Sequence, residues 1–208
     1  PPLRPDGRPG FDFSVTVHID GGEFVIYVCK RPFVDEFLRE VVKQGWEVIL
    51  FTASLSKYAD LVMDVLEEHA GCRCHARLFR DHCSLVEGFY VKDLSRLGRD
   101  VCKTLIIDNS PNAFMFHSRN GIASFTWTFE LEDTELRDML PFLSCAAQVG
   151  DCVEYMRETV LGNVAAQRRV GAGADGAGAD EALFEYGVKP SLLTSVENGD
   201  QAKSVHDI

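Results

Sequence analysis

The strongest constraint on the fold is one short apolar run that ends on polar residues. Residues 104–111 read T-L-I-I-D-N-S-P, and the run at 105–107 is unbroken, as a strand buried on both faces requires. Asp108 and Asn109 end the run, and Pro111 has no N–H to continue a ladder. Ligands bind outside the carboxyl ends of strands in open α/β sheets, so this pair is a candidate cation or phosphate site. The alternative is an Asx-turn that closes a core strand.

Strand and helix patterns alternate along the chain. Period-two spacing predicts a hairpin from 11–19 and 24–28, with a turn signal at 20–22. Helical spacing predicts four helices. The first opens at 30–32 and stops at Gly45, and the second spans 58–69. The third follows a cap at Asp133, and the fourth follows a capping box at 151–154. Apolar runs predict further strands at 46–51, 76–79, 90–92, 105–107 and 122–125. This alternation predicts an α/β three-layer sandwich.

The length of the chain and its local composition predict one domain with two flanking segments. Residues 1–10 form a leader rich in Pro and Gly, and residues 11–162 form the domain. Residues 163–208 form a predicted flexible tail, because 171–179 contain only Gly, Ala and Asp.

The charge balance limits the classes of partner. The net charge of -11 and pI near 5.0 argue against direct nucleic-acid binding and against anionic membrane surfaces. No apolar run reaches the length of a membrane span, and residues 1–10 lack the apolar core of a secretory signal. We therefore expect a nuclear or cytoplasmic protein.

Four positions in the predicted α/β unit carry possible phosphate chemistry. Thr52 follows a strand, and its hydroxyl could donate to a phosphate oxygen or instead form a helix cap or ST-turn. Lys92 could neutralise an anion as a point charge, or form a surface ion pair. Arg80 could fork onto a phosphate or carboxylate, or simply be an exposed arginine. Asp108 with Asn109 is the fourth position.

Other polar residues are weaker candidates. Arg31 and Arg77 could also bind an anion, whereas His18, His69 and His117 have no visible partners. The seven cysteines are irregularly spaced, so we expect reduced thiols rather than a disulfide framework. A structural zinc site is the alternative for one cluster, although its spacing is not a recognised one: Cys72, Cys74, His75, His82 and Cys83.

Several stretches together resemble one family. The runs V-I-L-F-T-A-S-L-S-K-Y-A-D, R-L-F-R-D-H-C, Y-V-K-D-L-S-R-L-G-R-D and I-I-D-N-S-P, with K-R-P-F-V-D-E-F-L and D-T-E-L-R-D-M-L-P-F-L, lie between residues 11 and 157. They closely resemble the small phosphatases that act on the RNA polymerase II carboxy-terminal domain, within the haloacid dehalogenase superfamily. The resemblance implies a Rossmann-like fold with a small β insert at 11–28.

The same resemblance implies an activity and residue roles. It implies a Mg²⁺-dependent phosphatase that hydrolyses phosphoserine or phosphothreonine in proteins. Thr52 would bind the transferring phosphoryl group, and Lys92 would hold the nucleophile and the phosphoryl charge. Asp108 and Asn109 would support Mg²⁺, with Asp108 counted among the catalytic residues. Arg80 would recognise the phosphorylated peptide.

One departure from the family pattern is large. The family's first motif, D-x-D-x-(T/V), ends the central strand and supplies the nucleophile and the general acid, but it occurs nowhere in these 208 residues. The central strand is therefore also expected to be missing. One hypothesis is a phosphatase whose nucleophile segment lies upstream of Pro1. The other is a catalytically inactive relative that binds phosphopeptides or acts as a scaffold.

Overall fold

The structure, a computed structural model, describes residues 10–19 and 21–159. The chain first forms an antiparallel hairpin of β1 (Phe13–Ile19) and β2 (Gly22–Val28). Alternate side chains of both strands are buried: Val15, Val17, Ile26 and Val28. This hairpin falls within the predicted insert, whereas most of the leader and the whole predicted tail lie outside the described residues.

Helix α1 (Val34–Lys43) starts later than predicted from the sequence but stops at the predicted Gly45. It begins after Pro32, because Phe33 at its N-cap has a left-handed φ of 65°. At the other end Gly45 has a φ of 92°, and the Trp46 N–H donates to the Val41 carbonyl at 3.1 Å, which closes a Schellman motif. The strand predicted at 46–51 is therefore too long at its start, because the Trp46 amide belongs to the helix cap.

Two pairs of parallel strands form the α/β part of the molecule. β3 (Ile49–Phe51) pairs with β4 (Ala76–Leu78) across helix α2 (Ser56–Ala70). After these, β7 (Ile106–Asp108) pairs with β8 (Gly121–Ala123) across a 3-10 helical stretch, Pro111–Asn120. The predicted α/β class is confirmed, and the observed strand ends differ from the predicted ones by no more than three residues.

The sequence analysis missed one hairpin. β5 (Ser84–Val86) and β6 (Phe89–Val91) form an antiparallel ribbon. Glu87 and Gly88, with φ of 51° and 86°, make its turn, and only the second arm had been predicted. The reason is that a three-residue strand such as S-L-V carries too few positions to show a period.

The C-terminal helices of the described part complete the core. α3 (Glu135–Ala146) begins two residues after Asp133, and residues 152–159 form a further helix. The β1–β2 hairpin, α1, α2 and α3 share one apolar core, whose fully buried members include Val17, Val28, Val62, Leu66 and Leu136. Among the described helices, none combines the length and the apolar character that a bilayer crossing needs.

An apolar cavity separates the two parallel pairs. Within the described residues, β3 pairs only with β4 and β7 only with β8. A cavity of about 430 Å³ is lined by residues of β3 on one side and by Ile106 and Ile107 of β7 on the other, with Phe37, Val41 and Leu143 also on its walls. An additional strand in this cavity could form hydrogen bonds with a strand edge on each side, and its two faces could be buried against the apolar lining.

Candidate functional site

A buried ion pair lies where β7 ends. The ammonium of Lys92 contacts a carboxylate oxygen of Asp108, and each side chain is only 10% exposed. The other carboxylate oxygen of Asp108 accepts the Ser110 N–H at 2.8 Å, and the Lys92 N–H donates to the Ala113 carbonyl at 2.7 Å. Lys92 is thus not in a surface pair, and the Asx-turn foreseen for Asp108 is present together with its charge interaction. Desolvation of an ammonium and a carboxylate costs free energy. This buried pair is therefore a candidate functional site.

Thr52 extends β3 by one residue towards the same end of the molecule. Its N–H donates to the Leu78 carbonyl at 2.9 Å, which continues the ladder between β3 and β4. Its side-chain oxygen accepts the Ser54 N–H at 3.1 Å, so the ST-turn alternative is also realised. Because that oxygen acts as an acceptor, the hydroxyl hydrogen of Thr52 can still donate to a ligand.

The thiol of Cys83 connects Thr52 with the charged residues. Its Sγ lies 3.8 Å from the Thr52 carbonyl oxygen. Burial raises the pKa of this thiol, and the charges of Lys92, Asp108 and Arg80 all act on it, with Lys92 opposing the effect of burial. The Cys83 thiol is therefore in contact with the Thr52 backbone and within the electrostatic influence of Lys92, Asp108 and Arg80.

Arg80 lies between the loop after β3 and the β5–β6 hairpin. Its Nε donates to the Ala53 carbonyl at 2.6 Å, and its backbone N–H donates to the Ser54 carbonyl at 3.1 Å. Its guanidinium carbon lies 5.2 Å from the centre of the Tyr90 ring, within the range of a cation–π contact. Sequence reasoning missed Tyr90 as part of this region, because no local pattern connects it to Arg80.

Asn109 borders the site on the β8 side. Its Nδ2 donates to Thr126 Oγ1 at 3.2 Å, while the Ser124 N–H donates to the Asp108 carbonyl at 3.3 Å. Mg²⁺ prefers one or two carboxylates together with phosphate and water. Both carboxylate oxygens of Asp108 already have protein partners, and no three His, Cys, Asp or Glu converge as a metal site within residues 10–19 and 21–159. The described residues alone therefore do not fit a magnesium site, and the predicted role of Asp108 and Asn109 needs a further ligand.

The two weaker arginine candidates, Arg31 and Arg77, form ion pairs within the protein. Arg31 has a fully buried side chain that donates to Asp133 through Nε at 2.9 Å and pairs with Glu135. Burial raises the pKa of Glu135, although its ion pair with Arg31 opposes this. Arg77 lies among three carboxylates on α2, those of Asp60, Asp64 and Glu67. The guanidinium donors of both arginines bind protein carboxylates, so neither is part of the phosphate site.

The structure also corrects the reading of His117. Its Nε2 lies 2.9 Å from Asp93 Oδ1, and the same oxygen accepts the Ser95 hydroxyl at 2.7 Å. The hydrogen bonds from His117 and Ser95 lower the pKa of Asp93. These contacts connect the segment after Lys92 to the 3-10 stretch before β8. The two residues are 24 positions apart in the sequence, which explains why no sequence signal revealed the pair.

Comparisons with known proteins are consistent with this arrangement. Residues 4–153 match the family described as NLI interacting factor-like phosphatase. The chain is 48% identical over 147 residues to human carboxy-terminal domain RNA polymerase II polypeptide A small phosphatase 1, covering 71% of this chain and 55% of that protein. It is 49% identical over 140 residues to the probable C-terminal domain small phosphatase of Dictyostelium discoideum, covering 67% and 45% of the two chains.

A third relative extends the comparison to another animal. Phosphatase Herzog of Drosophila melanogaster is 46% identical over 141 residues, which is 68% of this chain and 39% of that protein. The chain therefore spans about half the length of the curated relatives it matches, or less. The resemblance noted from the motifs is confirmed by a family match over most of the chain. This chain belongs to the NLI interacting factor-like phosphatase family.

Proposed function

We propose that the protein containing this chain is a phosphoserine and phosphothreonine protein phosphatase. The observation that carries the proposal is the buried Lys92–Asp108 pair at the end of β7, next to Thr52 at the end of β3. An ammonium, a guanidinium and a hydroxyl from this region suit the charge of a transferring phosphoryl group. The names of the relatives point to the RNA polymerase II tail as a substrate, and such a substrate implies a nuclear protein.

The cavity between β3 and β7 supports a specific place for the missing nucleophile. We infer that a strand carrying the acidic first motif fills this cavity in the complete protein. A strand there would pair with the open edges of β3 and β7 and would bury its side chains against the apolar walls. Its carboxyl end would bring two aspartates beside Thr52 and Lys92.

The proposed reaction has two steps. One inserted aspartate attacks phosphorus, the bond from phosphorus to the serine oxygen breaks, and the second aspartate gives that oxygen a proton. The second aspartate then takes a proton from water, which attacks phosphorus and frees the first carboxylate. Throughout, Lys92, Arg80 and the Thr52 hydroxyl stabilise the charge on the phosphoryl oxygens. Magnesium dependence belongs to the same proposal, because an inserted carboxylate would supply the further metal ligand that Asp108 and Asn109 need.

The second candidate is a non-catalytic phosphopeptide-binding protein. It is favoured by the absence of any D-x-D-x-(T/V) among the 208 residues. Thr52, Lys92 and Arg80 can hold a phosphate without a nucleophile. Turnover distinguishes the two candidates, because both predict phosphate-dependent binding.

The experiment has a binding part and a turnover part. We expect the 208-residue chain to bind a phosphoserine peptide more tightly than its unphosphorylated form by fluorescence anisotropy. Lys92→Met should weaken this binding by at least about ten-fold, whereas Lys43→Met, at an exposed site on α1, should not. If the full-length protein binds such peptides but releases no phosphate in a malachite-green assay, the non-catalytic candidate is correct.

A further inference from the structure

One face of the β5–β6 hairpin exposes large apolar side chains. Leu85 is 66% exposed and Tyr90 is 37% exposed. The two residues are direct partners in the register of the hairpin, so their side chains lie on the same face of the ribbon. Leu85 is the most exposed large apolar side chain of the described residues, and this exposure gives the fold itself no stabilisation.

The same face continues into the candidate phosphate site. Side chains alternate along a strand, so Cys83 shares a face with Leu85, and Lys92 shares a face with Tyr90. The charge of Lys92 acts on the Cys83 thiol, as expected for neighbours. With increasing distance from the turn, this face thus carries first Leu85 and Tyr90, and then the Cys83 thiol and the buried Lys92 ammonium.

Arg80 provides a second connection between the apolar pair and the site. Its guanidinium covers the Tyr90 ring at 5.2 Å, while its Nε binds the Ala53 carbonyl next to Thr52. A phosphate that reaches Arg80 and Lys92 therefore brings the attached peptide against Tyr90.

We propose that Leu85 and Tyr90 form a specificity subsite that binds one large apolar side chain of the phosphorylated substrate. The proposal rests on the proposed function, because it assumes that the phosphate binds at Lys92 and Arg80. Tyr90 and Lys92 are two positions apart in an extended segment, which is a distance of about 6.6 Å. The apolar residue of the substrate therefore lies two or three positions from the phosphorylated serine or threonine.

The size of the surface argues for a single side chain as its occupant. A stable protein–protein interface buries roughly 800 Å² on each partner, far more than two partly exposed side chains can offer. One leucine or phenylalanine of an extended peptide fits this area. The Arg80 guanidinium beside the pair suits an anionic phosphopeptide, whereas two copies of a chain whose net charge is -11 repel each other.

The test measures binding of the 208-residue chain to fluorescent phosphoserine peptides with an alanine background. A single leucine is moved through the four positions on each side of the phosphoserine. We expect tighter binding by about five-fold with leucine at one position, two or three residues from the phosphoserine. Leu85→Ala and Tyr90→Ala should each abolish this preference while phosphate-dependent binding of the all-alanine peptide persists after Leu85→Ala.

Matched variants and alternative outcomes decide between interpretations. Leu61→Ala removes an apolar side chain of 37% exposure on α2 and should leave the preference unchanged. A leucine preference that survives both hairpin variants, or no preference at any position, overturns the subsite but leaves the proposed function standing. If no peptide binds in a phosphate-dependent manner, the proposed function and the subsite are both wrong. A change in sedimenting mass on Leu85→Ala would instead identify the face as an interface between copies and contradict the proposal.

Discussion

At the scale of single residues, the ion pair of Lys92 and Asp108 carries a desolvation cost and belongs to the proposed phosphate site. Both side chains are 10% exposed, and removing one partner of a buried pair leaves the other charge uncompensated. Removal of Lys92 alone therefore changes both the stability of the fold and ligand binding, whereas removal of both charges separates the two effects.

We expect Lys92→Met to lower the free energy of unfolding by about 3–5 kcal/mol, because Asp108 would stay buried without its counter-ion. The double variant Lys92→Met/Asp108→Asn should recover most of this loss, since neither charge remains. Urea denaturation measures both values. Phosphopeptide binding should stay weak in the double variant, and recovery of binding together with stability would show that Lys92 contributes only to the fold.

Cys74 gives a pH-dependent prediction. Burial, with Glu67 nearby, raises the pKa of this thiol to about 12. Its contribution to stability is complete below the pKa of the unfolded thiol and is lost as the pH rises from there towards the folded value. Between pH 8 and pH 10 we expect a loss of about 1–2 kcal/mol from this group.

The check compares the urea-unfolding free energies of the wild type and Cys74→Ala at pH 8 and pH 10. The variant should lose less stability over this interval, by about the amount given above. Val65→Ala, which removes apolar volume from the same core but no titrating group, should follow the wild type. An identical pH dependence of Cys74→Ala and the wild type would rule out the raised pKa.

At the scale of secondary-structure elements, the β5–β6 turn carries avoidable strain. Glu87 adopts a φ of 51° before Gly88 at 86°, a pair of left-handed residues typical of a type I′ turn. Asparagine and glycine tolerate this conformation better than glutamate does. The element that presents Leu85 and Tyr90 is therefore not optimised for stability.

Glu87→Asn should raise the free energy of unfolding by up to about 1 kcal/mol, because asparagine populates left-handed conformations more readily. Glu87→Gln is the matched control, since it also removes the charge but has no such preference, and should change little. Thermal unfolding measures both variants. An equal gain from the two variants would mean that charge, rather than backbone strain, limits the hairpin.

At the scale of the whole molecule, the cavity between β3 and β7 is the feature on which the proposed function depends. Its apolar walls and the two strand edges beside it describe a place for one more strand. In the proposed function an inserted carboxylate would also supply a metal ligand, because Asp108 and Asn109 do not form a magnesium site by themselves.

We expect an apolar peptide ending in D-x-D to stabilise the 208-residue chain, by about 2.7 kcal/mol at one hundred times its dissociation constant. Differential scanning calorimetry measures the rise in melting temperature. Ile107→Lys, which places a charge in the cavity wall, should abolish the rise, and Leu61→Lys on α2 should not. A rise that persists in Ile107→Lys would show that the peptide binds elsewhere.

The amino-acid sequence by itself determined the order of strands and helices and the polar residues at strand ends. These features depend on local hydrophobic periodicity and on residues with a strong local preference, such as Gly45 at the end of a helix. The resemblance carried by the motif runs also indicated the family and the absence of D-x-D-x-(T/V) from the 208 residues. Thr52, Lys92, Arg80 and Asp108 were chosen from these patterns alone.

Only the tertiary structure decided which charges meet. Arg31 and Arg77 carry the same guanidinium group as Arg80, yet the fold gives both of them carboxylate partners. Arg31 pairs with Asp133, which is distant in the sequence, and Arg77 pairs with Glu67 on α2. The contact of His117 with Asp93 and that of Arg80 with Tyr90 also join residues with no common local pattern. Periodicity reports which face of an element is buried, whereas ion pairs and cavities depend on how separate elements pack.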